Sequence, residues 1–367
     1  MLGLVISTRR RVFGLDLLRA VAIVCVVHGH GKRYLYGTPM EWLADLPLPH
    51  GVDLFFVLSG FLIGLSVMKM LGQGSAFPQT WRFYRKTALR ILPNYYAMLA
   101  VNLLLVTLGV ISGDLAAKPL YRFATLTQNI ASPFFDFYWE SWSVPIQWWF
   151  YMAFPLLAFA LRRVAGRFTL PVVALLAIAA SALYRLSMLP GVHDPFYYDI
   201  AIRKTLASRT DSIYVGVLAA WLCRECPAFW RRSRWWLLGA AAALYAAVAA
   251  VGGSAEGFYS VVVLPLLVPV AVALALPALD AWREAGGRVA KGIMALSLLS
   301  YAMFMANLVM AEIIDCRLSA FAASHGMAAY LLFWAMVVAG TALLYYAVER
   351  PAMLLRQRLG GSTPSAN

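Results

Sequence analysis

The chain has 367 residues, of which 62% are apolar and only 13% are Asp, Glu, Lys or Arg. Soluble globular proteins have about 45–50% apolar and about 25% charged residues, so this composition excludes a disordered chain, a coiled coil and an ordinary water-soluble enzyme. The net charge of +14 lies in short runs between apolar blocks, which is typical of a polytopic membrane protein and argues against a nucleic-acid binder.

Ten stretches of the chain are candidates for crossing a membrane, which takes about 20 mostly apolar residues. They lie near 13–31, 51–70, 93–112, 143–161, 169–186, 211–224, 235–251, 257–278, 291–314 and 327–348. The sixth of these stretches, 211–224, is the weakest candidate for a membrane span. The sequence therefore predicts an all-α, polytopic integral membrane protein with about ten transmembrane helices. One membrane domain at 13–351 would lie between short cytoplasmic tails at 1–12 and 352–367.

The basic residues between these stretches predict the orientation. If the N-terminus lies inside, the inside segments contain more than twice as many Lys and Arg residues as the outside segments. This bias holds loop by loop, so both termini are expected in the cytoplasm. The high Ala and Arg content is compatible with a bacterial inner (plasma) membrane protein.

Three connections are long enough to contribute to function. The inner loop near 68–92 is strongly basic, and the outer loops near 113–141 and 187–210 are rich in aromatic and polar residues. A basic inner surface suits an anionic cytosolic ligand. Polar, aromatic outer loops suit a carbohydrate or a lipid head group.

Two ionisable residues lie within the first predicted helix. Arg19 and His30 are 11 residues apart, about three turns, so they project from nearly the same face and lie roughly 16 Å apart along the axis. An ionisable residue within a membrane span suggests a functional site. Alternatively, Arg19 reaches the head groups or pairs with Asp16, and His30 makes a structural hydrogen bond. His28 points to the opposite side.

The second predicted helix begins with an acidic residue. Asp53 could complement the helix dipole at its N-terminus, which is a sufficient structural explanation. Alternatively, Asp53 orients a nearby histidine such as His30, as carboxylates do in acyl transfer. The small residues Ser59 and Gly60 would allow close helix contact.

Several motifs together resemble the membrane acyltransferase-3 family. The pair Arg19 and His30 matches the family's Arg-x10-His signature. The other similar stretches are 15–20, 51–63, 85–93, 142–155, 209–216, 300–301 and 348–351. They occur in the family's order, and ten spans is the family's core architecture.

The resemblance implies transfer of an acyl group, usually acetyl, from a cytosolic acyl-CoA to a hydroxyl. The acceptor would be a surface polysaccharide, a lipid-linked sugar or a secreted small molecule. Acetyl-CoA or another acyl-CoA would be a co-substrate, with no permanently bound cofactor and no metal. Membrane lipids would be the other partners, and nucleic acid would not.

The resemblance also implies roles for individual residues. His30 would lie at the reacting centre and Asp53 would support it as a second catalytic residue. Four basic residues would contact the donor: Arg19, Arg85, Lys86 and Arg90. Five residues would position the substrates: Trp142, Gln147, Tyr151, Arg209 and Asp211.

The chain departs from the family pattern at three positions. Gln147 replaces a common Glu, Ala306-Asn307 replaces a Trp-His-like ending, and Thr87 replaces a frequent Arg. Glutamine cannot act as a base, so position 147 either hydrogen-bonds substrate or marks altered chemistry. Two other functions also remain open, because buried Arg and His residues suit a translocation path equally well, and a loss of activity would explain Gln147 and Asn307. One is a transporter of a lipid-linked sugar or an acylated compound, and the other is a structural subunit of an envelope assembly.

Overall fold

The computed structural model describes residues 11–73, 76–113, 115, 119–130, 137–251 and 257–359. These residues form helices and connecting turns, with no β-strand among them. The ten longest helices are α1 Phe13–Gly31, α2 Gly51–Gly72, α3 Ala76–Thr107, α4 Ser143–Ala165, α5 Thr169–Met188, α6 Leu206–Glu225, α7 Arg234–Val251, α8 Leu264–Ala281, α9 Gly287–Arg317 and α10 Gly326–Leu344. The all-α prediction is confirmed.

Eight helical stretches among the described residues are long and apolar enough to cross a membrane. One of them, Trp139–Gly191, spans 53 residues and contains both α4 and α5, which the turn at Gly166–Phe168 separates. Helix α6 is not among the eight, in keeping with its weaker apolar pattern. The protein is thus a polytopic membrane protein, while the number of ten spans and the side of each terminus stay predictions.

The basic segment near 68–92 is mostly helical rather than a loop, so that prediction was wrong. Helix α3 begins at Ala76 and continues through Pro93 to Thr107. The residues before Pro93 include Arg, Lys, Ala and Leu, which favour helix, although their hydropathy is low. Arg82, Lys86 and Arg90 follow at intervals of four and therefore share one helix face.

The predicted C-terminal tail begins as a helix. A π-helical turn at Tyr345–Glu349 leads from α10 into α11, Arg350–Leu359, which packs against α3. The first residues of the tail therefore extend the helical bundle next to the basic part of α3.

Helices α2 and α6 are packed backbone to backbone. A Cβ atom on Gly60 would lie 1.8 Å from the carbonyl oxygen of Ile213, and one on Gly216 would lie 2.0 Å from that of Val57. Only hydrogen atoms fit at these two contacts, as in other close helix pairs of membrane proteins. Helix α1 packs beside this pair, against α2 and α9. Helices α1, α2 and α9 contribute residues to the candidate site.

Candidate active site

The first of two cavities, here called the inner cavity, lies between α1, α2, α3, α4 and α9. Its volume is about 80 Å³, and its polar lining includes Arg19, Arg90, Gln147 and Tyr151. Arg90 is exposed at the cavity. Four residues that the sequence predicted to contact substrates therefore lie around one space.

The second, here called the outer cavity, has a volume of about 350 Å³. It lies where α1 ends and α2 begins, under the connections before α4 and α6. Its polar and aromatic lining comprises His28, His30, Lys32, His50, Trp139, Glu140, Trp142, Asp199, Arg203 and Lys204. The two predicted aromatic and polar loops thus both reach the space that His30 lines.

His30 is hydrogen-bonded to Asn307, which lies fully buried on α9. The Nδ2 group of Asn307 donates to the carbonyl oxygens of Phe304, at 2.6 Å, and Met303, at 3.2 Å. Its Oδ1 atom therefore faces His30 and accepts a hydrogen bond from Nδ1. A neutral imidazole that donates from Nδ1 has a lone pair on Nε2, which is the form that a general base needs. No described residue bonds to Nε2.

His28 has no such free nitrogen. Its Nδ1 atom lies 2.9 Å from the hydroxyl of Tyr330, and its Nε2 atom lies 3.0 Å from the carbonyl oxygen of Leu43. Since a carbonyl only accepts, Nε2 carries the proton and Nδ1 accepts from the tyrosine. Both nitrogens of His28 are thus used in structural bonds.

His50 has the opposite tautomer to His30. Its Nδ1 atom accepts a hydrogen bond from Arg203 at 3.3 Å, so the proton of the neutral ring lies on Nε2. The positive charge of Arg203 is the main cause that lowers the pKa of His50 to about 3. Among the histidines that line the outer cavity, His30 alone therefore presents a basic nitrogen.

Arg19 makes the ion pair that the sequence offered as an alternative. Its Nη1 atom lies 3.5 Å from Asp16 and 3.2 Å from the hydroxyl of Ser297. Asp16 also binds Arg11 at 2.7 Å. The guanidinium nevertheless lines the inner cavity, and its other nitrogens have no partner among the described residues. The structural contact and the predicted donor contact are thus compatible.

The predicted donor cluster extends away from the inner cavity along α3. Arg90 lines the cavity, whereas Arg85 and Lys86 lie about one turn earlier on the helix and do not. Lys86 is exposed and Arg85 is half-buried. The structure therefore forms a basic strip that ends at the cavity rather than a ring of charges around it.

Gln147 and Tyr151 are one turn apart on α4 and bond to each other. The hydroxyl of Tyr151 donates to Oε1 of Gln147 at 3.3 Å. The amide NH2 of Gln147 has no acceptor among the described residues, although the side chain lines the inner cavity. Glutamine can therefore donate a hydrogen bond into this cavity, which a carboxylate at the same position could not.

Asp53 does not orient His30, and that expectation was wrong. Its carboxylate forms a buried ion pair with Arg209 and accepts a hydrogen bond from the hydroxyl of Ser212 at 3.2 Å. Neither Asp53 nor Arg209 lines either cavity described above. A buried pair of this kind is costly to break on one side, so it fixes α2 against α6.

Asp211 also lies in a structural ion pair. It binds Arg185 of α5 at 2.7 Å, and both side chains are completely buried. The backbone N–H of Ser212 donates to its second oxygen at 2.8 Å. Asp211 therefore joins α5 to α6 and lines neither cavity.

Glu140 lines the outer cavity, and the sequence analysis missed it. The residue is 2% exposed. Its Oε1 atom accepts a hydrogen bond from Asn102 at 3.3 Å, while Oε2 has no donor among the described residues. Buried carboxylates are usually fully hydrogen-bonded, so this unpaired oxygen in the lining of the outer cavity is an exception. Its signal in the sequence was an acidic residue between two tryptophans of an outer loop.

A family model described as an acyltransferase domain matches residues 12–349. The chain belongs to the acyltransferase-3 family. The resemblance seen in the sequence is thus confirmed, and the protein is a membrane acyltransferase. No curated protein and no solved structure matches the chain.

In this acyltransferase, the predicted residues fall into four groups. Arg19, Arg90, Gln147 and Tyr151 line the inner cavity, and His30 and Trp142 line the outer one. Arg85 and Lys86 continue the basic strip, whereas Asp53, Arg209 and Asp211 form ion pairs between helices. The basic strip of α3 thus ends at the inner cavity, and a histidine with an unbonded Nε2 atom lines the outer one.

Proposed function

We propose that this acyltransferase transfers an acyl group, in the simplest case acetyl, from cytosolic acyl-CoA to a hydroxyl of a carbohydrate, a glycolipid or a secreted small molecule. The supporting observation is the bond between His30 and Asn307, which leaves Nε2 of His30 as a base in the outer cavity. The family supplies the reaction type.

The basic strip suits the donor because CoA is polyanionic. Arg85, Lys86 and Arg90 would bind its phosphates from the cytoplasmic side, since charge-assisted hydrogen bonds to phosphate are strong. The inner cavity would then receive the thioester end of the donor. There the free nitrogens of Arg19 and the amide NH2 of Gln147 would donate to carbonyl oxygens of the donor.

The chemical step needs one base and no added reagent. Nε2 of His30 removes the proton of the acceptor hydroxyl as its oxygen attacks the thioester carbonyl carbon. The tetrahedral intermediate then expels the sulfur, and the proton on His30 passes to the thiolate. The C–O bond of the ester forms, the C–S bond breaks, and CoA leaves as the free thiol.

The acceptor would occupy the outer cavity. Trp139 and Trp142 provide apolar faces for a sugar ring, and Lys204 already lies over the Trp139 ring at 4.6 Å. The free oxygen of Glu140 would accept a hydrogen bond from a second hydroxyl of the acceptor. A cavity with aromatic faces and convergent polar groups is typical of a small-ligand site.

CoA release from acetyl-CoA by the purified protein tests this function. Substitution His30→Ala should lower the rate by about 10²–10⁴-fold, because it removes the general base. His193→Ala is the matched control, since His193 is exposed and lines neither cavity. Equal rates for His30→Ala and the wild type would contradict the proposal. A wild type that neither cleaves nor binds acetyl-CoA would favour a transporter.

A further inference from the structure

The inner and outer cavities have two lining residues in common, and no other described residue lines both. These are Val52, in the first turn of α2, and Phe304, in the middle of α9. We call this pair the septum. The septum therefore lies where the cavity of Arg19 and the cavity of His30 adjoin.

Phe304 has one contact through its ring and another through its backbone. Its ring packs edge to face against Phe55, which lines the inner cavity, with 6.3 Å between the ring centroids. Its carbonyl oxygen accepts the 2.6 Å hydrogen bond from Asn307, the residue that binds His30. Phe304 therefore lies about one helical turn from the partner of the proposed base, and its phenyl ring packs against the lining of the inner cavity.

The position of Phe304 bears on the reaction when the donor enters from the inner side. That route is part of the proposed function, on which the inference below rests. The thioester carbonyl must then meet a hydroxyl that His30 deprotonates on the other side. The acyl chain must find room beside the septum, and the inner cavity offers only about 80 Å³. A longer chain would collide with Phe304 or push it into the outer cavity.

We infer that Val52 and Phe304 determine which acyl groups the enzyme transfers, and that they admit acetyl and propionyl but exclude chains of four or more carbons. A mismatch of one methylene in a closed apolar site changes kcat/KM by about 10–200-fold. The wild type should therefore prefer acetyl-CoA over butyryl-CoA by at least about tenfold, and over hexanoyl-CoA by more.

The test measures kcat/KM for acetyl-, butyryl- and hexanoyl-CoA with the wild type and with Phe304→Ala. The substitution should raise the butyryl-to-acetyl ratio by about tenfold or more. Leu308→Ala is the matched control. Leu308 lies one turn further along α9, and it lines the outer cavity but not the inner one. This control should leave the ratio unchanged, whatever its effect on the rate.

Two milder variants serve if Phe304→Ala does not fold. Phe304→Leu and Val52→Ala each widen the septum and should shift the ratio in the same direction. A wild type that transfers hexanoyl as well as acetyl would overturn the inference and leave the proposed function intact. So would septum variants that transfer acetyl with an unchanged ratio. A wild type that releases CoA from none of the three thioesters would overturn both.

Discussion

At the scale of single residues, the central pair is His30 and Asn307, which are 277 positions apart in the chain. Only one orientation of the Asn307 amide gives hydrogen bonds to both its NH2 group and its oxygen, because the NH2 group donates to two backbone carbonyls. The oxygen is thereby directed at His30. An asparagine that departs from the family pattern thus gives the histidine a defined tautomer.

Substitution Asn307→Ala should lower kcat by about 10²–10⁴-fold with little change in KM for acetyl-CoA, because the base is misaligned while the donor site is intact. Asn307→Asp keeps an oxygen acceptor for Nδ1 and should lose much less activity. Steady-state kinetics of CoA release measure both. A purely structural role would instead change KM and kcat alike, or make the two variants equally defective.

At the scale of helices, the contact of α2 with α6 decides where the site residues lie. The two helices touch through Gly60 and Gly216, and the ion pair of Asp53 with Arg209 lies in the same interface. Helix α2 begins at the outer cavity and also lines the inner one. Its position against α6 therefore determines the shape of both cavities.

Substitution Gly60→Ala should destabilise the protein by about 1–3 kcal/mol, because a methyl group would overlap the carbonyl of Ile213. The thermal unfolding midpoint of the purified protein in detergent measures this. Gly72→Ala is the control on the same helix, since no atom lies within 4 Å of the added Cβ. A midpoint for Gly60→Ala equal to that of Gly72→Ala would contradict the proposed packing constraint.

At the scale of the whole molecule, the predicted orientation places Arg19 and His30 towards opposite sides of the membrane. With the N-terminus inside, α1 starts in the cytoplasm and ends at the outer cavity, so Arg19 precedes His30 along the path from inside to outside. The basic face of α3 then lies towards the cytoplasm, where acyl-CoA is found. Orientation is therefore part of the proposed mechanism.

The native cysteines can test the orientation. Cys316 is exposed at the end of α9, predicted outside, whereas Cys223 and Cys226 lie near the end of α6, predicted inside. A membrane-impermeant maleimide should label Cys316 in intact cells, and Cys226 only after permeabilisation. Cys316→Ser should abolish labelling of intact cells. Labelling of Cys226 in intact cells, with Cys316 protected, would require the reverse topology.

Much of this protein could be predicted from the sequence. Hydropathy and charge are sums over neighbouring residues, so the membrane class and most helix positions follow from them. The motifs around Arg19 and His30 also indicated the family. Hydropathy failed at 76–92, because that segment is helical but polar, and helix propensity does not depend on hydropathy.

The tertiary structure decided which side chains bond to one another at the site. Asp53 binds Arg209 rather than His30, and Asn307 takes the place beside the histidine. Both outcomes depend on the rotation and depth of helices that are distant in sequence, and no local pattern encodes these. The position of Phe304 in the lining of both cavities has the same origin. The sequence by itself therefore determined which residue types were available, and helix packing determined which of them meet.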